Sequence, residues 1–237
     1  MAVAVRNIQR AQPEVVDGLV AQSVATIHEV QGRRGYLGPR LRPIYPRARA
    51  GGSAVTVRLP PGDNWMIHVA VELCQPGDIL VAAPTSQCED GYFGELLATS
   101  LAAHGVTGLV IDGGCRDVAE LERLGFPVWS RAISATGTVK ETPGDANVPI
   151  VCGQQLVEPG DVIVGDDDGV VVVPRSESAT VLAASIEREE REEESRSYYR
   201  DGGLGLDRGD MRQRLVDKGL RYVDHPEDLD HTGGSAT

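Results

Sequence analysis

Hydrophobic positions along this chain recur at two spacings, one close to 3.6 residues and one close to two, and the switches between them mark the elements. Val15, Val16, Leu19, Val20, Val24 and Ile27 keep the helical spacing, which predicts one or two short helices from Pro13 to Val30, ended by Gly32-Arg33-Arg34-Gly35. Tyr36 to Ala50 has no period and is rich in Pro and Arg, as expected of a connecting loop. Ser53 to Leu59 alternates through Ala54, Val55, Thr56 and Val57 and predicts a strand stopped at Pro60-Pro61-Gly62. Trp65, Met66, Val69, Ala70 and Leu73 return to the helical spacing, with Asp63 or Asn64 placed to cap the helix.

Gln75-Pro76-Gly77-Asp78 leads into a strand at Ile79 to Ala83, and Glu158-Pro159-Gly160-Asp161 leads in the same way into Val162 to Gly165. Both fit turn chemistry, because Pro presets φ and Gly accepts a positive φ just before a strand. Leu96, Leu97, Leu101 and Val106 predict a helix from Gly94, followed by a short strand from Thr107 to Ile111 that breaks at Asp112-Gly113-Gly114. Pro127 to Arg131 and Gly169 to Val173 read as buried strands. Ser176 to Arg200 begins with Val181, Leu182 and Ile186 at helical spacing and becomes an alternation of Glu with Arg, which a solvated helix tolerates through pairs three and four apart. A short helix around Met211 to Lys218 and a frayed tail complete the pattern. No long linker divides the chain, so the expectation is one α/β domain over residues 1–175, a helical arm over 176–224 packing on a neighbouring subunit, and a flexible tail over 225–237.

Composition narrows the function classes. With 237 residues and 41% hydrophobic content the chain can bury a sizeable core. A formal charge of −12 argues against nucleic acid, whose phosphates require clustered Lys and Arg. Cys74, Cys88, Cys115 and Cys152 form no CxxC pair and are expected as reduced thiols. The start of the chain has no apolar leader and no run of membrane-spanning length, so a cytoplasmic protein without membrane contact is expected.

HExxH, GxSxG, P-loop and dinucleotide-binding patterns are all missing from the sequence. Lys140 and Lys218 are its only lysines, and neither lies in an apolar run that would depress its pKa, which disfavours a Schiff base. Carbonyl chemistry here would therefore rely on a metal acting as Lewis acid, with no organic cofactor. The stretch from Gly94 to Glu120 offers the parts. Amides of Gly94, Glu95, Leu96 and Leu97 sit where a helix begins and lack internal partners, which stabilises a bound anion. Arg116 and Asp117 follow a strand end. Asp117 is the candidate ligand for a hard cation that takes oxygen donors, and Arg116 the candidate to neutralise a developing enolate. Taken alone, the pair reads more readily as a surface ion pair of little consequence.

Glu95, twenty further residues, Arg116-Asp117, two more and Glu120 resemble the acidic-x20-RD-x2-acidic signature of class II pyruvate aldolases in the RraA-like family. PPGDNWMIHVAVELC from Pro60, DGYFGELLATS from Asp90, GFPVWSRAISATGTVKET from Gly125 and GDDDGVVVVPR from Gly165 resemble its 4-carboxy-4-hydroxy-2-oxoadipate / 4-hydroxy-4-methyl-2-oxoglutarate aldolase branch. The resemblance implies an αββα sandwich of the swivelling-domain type with a C-terminal helical extension, assembled as trimers or hexamers with sites between subunits. It also implies Mg2+ or Mn2+ on Asp117, the keto oxygen on Arg116, the pyruvyl carboxylate on the amides of Gly94 to Leu97, and Glu95 near a metal-bound water that relays the C4 hydroxyl proton. Glu95 stands where many relatives have Asp. Asn64 and Glu29 match positions that the family places near the metal's water shell from an adjoining subunit, Asn64 being also a candidate for substrate binding, although Asn64 is equally a helix cap and Glu29 equally a surface charge. Among Glu192, Glu193 and Glu194, Glu193 is the candidate to reach a neighbouring site. His28, His68 and His104 have no ligand spacing and are expected to be structural, and Cys115 a buried filler.

The implied reaction is cleavage of 4-carboxy-4-hydroxy-2-oxoadipate to pyruvate and oxaloacetate, or of 4-hydroxy-4-methyl-2-oxoglutarate to two pyruvates. Oxaloacetate decarboxylation would be a side activity, and the setting protocatechuate or gallate catabolism. The same family includes non-catalytic regulators of ribonuclease activity, the alternative from another class. A swivelling phosphohistidine domain would need a phosphorylatable His in a tight loop, and none is evident.

Overall fold

The computed structural model describes residues 2–228 and divides after Glu189 into two compact units. In the first unit the elements run α1 (Pro13–Ala21), α2 (Val24–Val30), β1 (Arg42–Pro43), β2 (Ala50–Leu59), α3 (Trp65–Leu73), β3 (Asp78–Pro84), β4 (Gly91–Phe93), α4 (Glu95–Ala103), β5 (Leu109–Cys115), α5 (Val118–Leu124) and β6 (Val128–Ile133). Then come β7 (Asp145–Ala146), β8 (Ile150–Cys152), β9 (Gln155–Val157), β10 (Val162–Asp166), β11 (Gly169–Val173) and the start of α6 (Ser178–Arg200).

The main sheet has the order β1-β6-β5-β3-β2-β10-β11, with β4 on β5 and β7 on β2. Its centre, β2, β3, β5 and β6, is parallel, and the crossovers are α3, α4 and α5. β10 and β11 then fold back antiparallel. The two ends approach each other: Leu37 N–H donates to Val170 O at 3.0 Å, and the Arg42 guanidinium donates to the carbonyls of Asp167 and Asp168 at 2.7 and 2.9 Å. A sheet bent this far exposes two inner surfaces to each other, and the strand alternation fills them.

Side chains sort into three layers. Val55, Val57, Leu80, Ala82, Leu109 and Ile111 face Met66, Ile67, Ala70, Leu97, Leu101 and Leu121 of the crossover helices. Their alternates Ala54, Ile79, Val81, Val110 and Trp129 face Ile163, Val170 and Val172 across the bent sheet. Val162, Val164, Val171 and Val173 turn outward to Val16, Leu19, Val24 and Ile27 of α1 and α2, with Val181 of α6. Helices, sheet, sheet, helices is the αββα sandwich the resemblance implied. The valine run of β11 is buried on both faces because each face meets a different layer.

Three local readings change. The glycines at 113 and 114 do not end the strand, since β5 continues through them to Cys115. Gly114 is there because a Cβ would lie 2.2 Å from Glu89 O and 2.5 Å from Asp90 O, so β4 could not pair so closely with any larger residue. The loop from Tyr36 to Ala50 carries the short edge strand β1. At the start of α3 it is Asp63, through Oδ1 accepting from Trp65 N–H at 2.8 Å, that caps the helix, and Asn64 makes no cap bond.

In the second unit, the Glu-Arg run of α6 pairs along its own helix, Glu193 accepting from Arg196 at 2.8 Å and from Arg200 at 3.1 Å, and α7 (Met211–Asp217) follows. Residues 229–237 of the expected tail lie outside those described. Among the described residues, no helix is long and apolar enough to cross a membrane.

The Pro-Gly-Asp turns close on themselves. Asp78 Oδ2 accepts from Gln75 N–H at 2.7 Å and Asp161 Oδ2 from Glu158 N–H at 3.0 Å. Asp78 is also gripped by Arg10 through Nε and Nη2, both at 2.8 Å, and this bond holds the Arg10 pKa above its usual value. Asp78 is 1% exposed, so its truncation strands a cation and an amide. Asp78→Ala should cost about 3 kcal/mol in urea unfolding. A loss under about 0.5 kcal/mol, the scatter of surface substitutions, would mean that Pro and Gly alone close the turn.

Candidate active site

β5 ends at Cys115, and the next two residues are presented at the carboxyl end of a parallel strand, where open α/β sheets place their ligands. Arg116 N–H donates to Phe93 O at 2.9 Å, which fixes the strand end against β4. Asp117 then adopts the left-handed conformation at φ 59°, ψ 40°, and its carbonyl accepts from Leu121 N–H at 2.9 Å as α5 begins. Asp is among the few residue types that tolerate this region. The left-handed turn sends the chain sharply into α5 while the carboxylate reaches back to α4.

That carboxylate meets the first turn of α4. Asp117 Oδ2 accepts from Glu95 N–H at 3.1 Å, so one of the orphan amides is already taken by the protein's own anion. Gly94 makes the approach possible, because a Cβ at this position would stand 2.3 Å from Asp117 Oδ2. Arg116 Nε lies 3.8 Å from the same oxygen, too far for a hydrogen bond, and the two side chains are 50% and 41% exposed. A pair this open and this long is weak and leaves both groups to a ligand. None of the described hydrogen bonds engages Asp117 Oδ1.

These residues border a cavity of about 140 Å3, lined also by Asn64, His68, Tyr92, Leu97 and Lys140. The volume is well below the roughly 300–1,000 Å3 of pockets that hold drug-sized molecules and suits a small organic acid. Tyr92 is fully buried, its hydroxyl accepts from Gly62 N–H at 2.7 Å, and burial together with Cys88 pushes its pKa up, so it is a neutral wall. Asn64 Nδ2 donates to Tyr92 O at 2.8 Å, and this bond leaves Asn64 Oδ1 buried without a partner.

A further part of the wall is the loop around Lys140, held by Asp63. Asp63 Oδ2 accepts from Glu141 N–H at 2.6 Å and Thr142 N–H at 2.7 Å, while Val139 N–H donates to Gly62 O at 2.9 Å and Val139 O accepts from Asn64 N–H at 3.1 Å. Burial by itself would raise the Asp63 pKa, but the three amides of Glu141, Trp65 and Thr142 and the charge of Lys140 outweigh it and lower the value. His68 is shifted down by desolvation and by Lys140, so it is neutral near pH 7.

The structure thus brings Asn64, Gly94, Leu96, Leu97, Arg116 and Asp117 together, with the Glu95 amide bound to Asp117. The Glu95 side chain does not line the cavity, since Oε1 accepts from Thr99 Oγ1 at 2.8 Å along the helix. Glu29 pairs with Arg33 at 3.2 Å on α2 and is not among the lining residues, and Glu193 lies in the second unit. Glu120 is exposed on α5. Sequence reading missed His68 and Lys140 as site residues. His68 carried a signal, being one helical turn from Asn64, whereas Lys140 carried only its place in the stretch from Gly125 to Thr142 that resembles the family, because the Asp63 clamp and the Val139 bridges that place its loop are long-range.

The cavity offers a cation the carboxylate of Asp117 and the unpartnered Asn64 Oδ1, with the His68 imidazole also in the lining, and the two oxygens fit a hard divalent ion that keeps several waters. Among the described residues no group of three or more His, Cys, Asp and Glu is clustered for a metal. The cavity would therefore supply a partial shell that substrate and water complete.

Comparison with known proteins gives the family of the chain. Residues 12–172 match the RraA-like family, described as Aldolase/RraA. A protein of Halalkalibacterium halodurans named "Putative 4-hydroxy-4-methyl-2-oxoglutarate aldolase" is 32% identical over 166 residues, 70% of this chain and 79% of that one. The crystal structure of Streptomyces coelicolor RraAS2, described as an unusual member of the RNase ES inhibitor RraA protein family, is 31% identical with a TM-score of 0.71, covering 80% of this chain and 99% of that one. A Pseudomonas syringae pv. tomato protein of uncharacterized function shares the fold at a TM-score of 0.72 and 24% identity, over 83% and 97% of the two chains.

The Asp63 clamp has a pH signature. Its folded pKa lies below the ordinary 3.8, so its stabilisation is complete above that value and is lost as pH falls through the folded pKa. Asp63→Asn should cost about 1–3 kcal/mol near pH 7. In chemical unfolding the gap between variant and parent should stay constant from neutral pH to about 5 and narrow below the ordinary carboxylate range. A gap independent of pH down to about 2 would show that the charge of Asp63 contributes nothing.

Proposed function

Because the chain belongs to the RraA-like family, we propose that it is a divalent-metal-dependent aldolase that cleaves a 4-hydroxy-2-oxo acid to pyruvate and a second oxo acid. The observation that carries this reading is the Asp117 carboxylate bound to the first amide of α4, beside Arg116, in one small cavity. The substrates of choice are 4-carboxy-4-hydroxy-2-oxoadipate and 4-hydroxy-4-methyl-2-oxoglutarate, the second supported by the name of the Halalkalibacterium relative.

Each group has a task in this scheme. The remaining first-turn amides of α4, at Leu96 and Leu97, hold the pyruvyl carboxylate, which the helix dipole favours. Arg116 donates to the C2 keto oxygen and stabilises the charge it gains as the C3–C4 bond breaks and the electron pair enters the C2–C3 enolate. Asp117, with Asn64 Oδ1 nearby in the wall, would hold Mg2+ or Mn2+, which supplies Lewis-acid polarisation of the substrate oxygens. The C4 hydroxyl proton leaves as C4 becomes a carbonyl, and a proton is returned to C3 to give pyruvate. Glu95 is the nearby carboxylate for this transfer, acting through water once it releases Thr99. Oxaloacetate decarboxylation passes through the same enolate. Glu29 and Glu193 would serve from an adjoining subunit of a homo-oligomer.

The Streptomyces structure supports a second reading, a regulator of ribonuclease activity that presents the fold as a surface. What favours the enzyme is that Arg116 and Asp117 line one small cavity, since a regulator has no need of an open cation and anion around such a recess.

Purified protein with Mg2+ or Mn2+ and either hydroxy-oxo acid should release pyruvate, read through lactate dehydrogenase, and EDTA should stop it. Asp117→Ala should remove both turnover and metal affinity. Arg116→Ala should lower kcat by about 10²–10³-fold, the worth of a lost oxyanion donor, with metal affinity retained. Absence of metal-dependent pyruvate would refute the aldolase reading, and wild-type rates in Arg116→Ala would refute the role given to that residue.

A further inference from the structure

We infer that Gly137 is a positioning residue for Arg116: the bare backbone at the end of the segment from Ser134 to Gly137 closes one side of a slot that aims the guanidinium into the cavity. The inference rests on the aldolase reading, in which Arg116 binds the oxygen of the developing enolate, and it names what holds that group in place.

The need for such a device follows from what Arg116 lacks. Among the described hydrogen bonds none is donated by its guanidinium, and its ion pair with Asp117 is 3.8 Å long at 50% exposure. An arginine side chain that is half exposed and unbonded is ordinarily spread over several rotamers. Stabilising a developing charge requires a donor already in place, since a misplacement of about 1 Å costs about 10²-fold in rate.

Packing supplies the constraint. A Cβ at Gly94 would lie 3.2 Å from Arg116 Cγ, one at Gly91 would lie 3.5 Å from Cδ, and one at Gly137 would lie 3.5 Å from Nη1. The side chain therefore passes Gly94, Gly91 and Gly137 in turn, and its head is bounded by Asp117 on the Nε side and by Gly137 on the Nη1 side.

The segment that carries Gly137 is fastened to the strands that carry Arg116. Ser134 N–H donates to Cys115 O at 2.9 Å, which continues the pairing of β6 with β5, and Gly91 N–H donates to Thr136 O at 2.7 Å. Gly91 permits this closure, because a Cβ there would stand 2.5 Å from Ser134 O and 3.1 Å from Thr136 O. Gly137 is different. It is exposed, its φ lies outside the left-handed region, and among the described residues the one atom that a Cβ there would meet within 4 Å, chain neighbours aside, is Arg116 Nη1. Neither turn geometry nor backbone crowding accounts for a glycine at this position, whereas the room that the guanidinium occupies does. Gly137 is not among the residues lining the cavity, so it acts through Arg116.

The test uses Gly137→Ala, whose methyl only touches Nη1, and Gly137→Val, whose branches reach into the place of the guanidinium. The probe is oxalate, a planar dianion with the shape of the pyruvate enolate, titrated calorimetrically in Mg2+. Gly137→Val should weaken oxalate and lower kcat by about tenfold each, and Gly137→Ala by about threefold, part of the cost of a misplaced donor. KM and the affinity for Mn2+ alone should stay within about twofold. In the Arg116→Ala background, Gly137→Val should change oxalate affinity by less than about twofold, because the group it acts through is gone. Parent-like oxalate affinity and kcat in either variant, folded by its thermal transition, would overturn the inference, as would equal fold-losses with and without Arg116. If the parent itself binds no oxalate and makes no metal-dependent pyruvate, the aldolase reading fails and the assignment of Gly137 falls with it.

Discussion

The hydrogen bond from the Glu95 amide to the Asp117 carboxylate is the contact on which the site depends. It joins the first turn of α4 to the residues that follow β5, beside the Arg116 N–H bond to Phe93 O that ties the same strand end to β4. Both partners are under constraint: Asp117 sits in the left-handed region, and position 94 must have no side chain because the carboxylate fills the space a Cβ would take. The interaction is favourable since the start of a helix carries partial positive charge and an unpaired donor. It also consumes one of the four amides available to an outside anion, so the bound ligand must share the helix end with a resident carboxylate.

Around this contact the sandwich sets a sharp division between fixed and exposed groups. Asp63, Asp78 and Asp145 are buried acids whose oxygens are spent on backbone amides and arginines that hold loops and turns. Asp117 and Arg116 are half exposed and only loosely paired. A buried, satisfied acid contributes to stability, whereas an exposed pair contributes little and can be spent on a ligand. Asn64 stands between the two classes, with its amide nitrogen committed to Tyr92 O and its oxygen enclosed and unpaired, which is costly in a finished core and reasonable at a site that a ligand completes.

Much of the architecture was legible because it depends on period. Two-residue alternation in β2 and helical spacing in α1 to α4 are properties of the chain itself, and each agrees with the layer its residues face. The Pro-Gly-Asp turns were legible for the same reason, as φ preferences are local. Gly113-Gly114 was misread as a turn, because glycine serves both to bend a chain and to let another backbone come close, and the sequence does not say which. The demand came from β4, a neighbour distant from the sequence pattern of β5.

The candidate site divides along the same line. Arg116, Asp117 and the α4 amides lie within one short stretch, so their type and spacing carried the resemblance to the family. The sequence by itself therefore determined the elements, the turns and the chemistry of that central stretch, all of which follow from backbone preference and local order. The tertiary structure decided which groups share the cavity. It took the Glu95 amide for Asp117, turned the Glu95 carboxylate toward Thr99, and brought Lys140 and His68 into the cavity wall. The reason is physical: a buried carboxylate at position 63 is satisfied only by amides almost eighty residues away, and such a closure is paid for by long-range packing that no local pattern records.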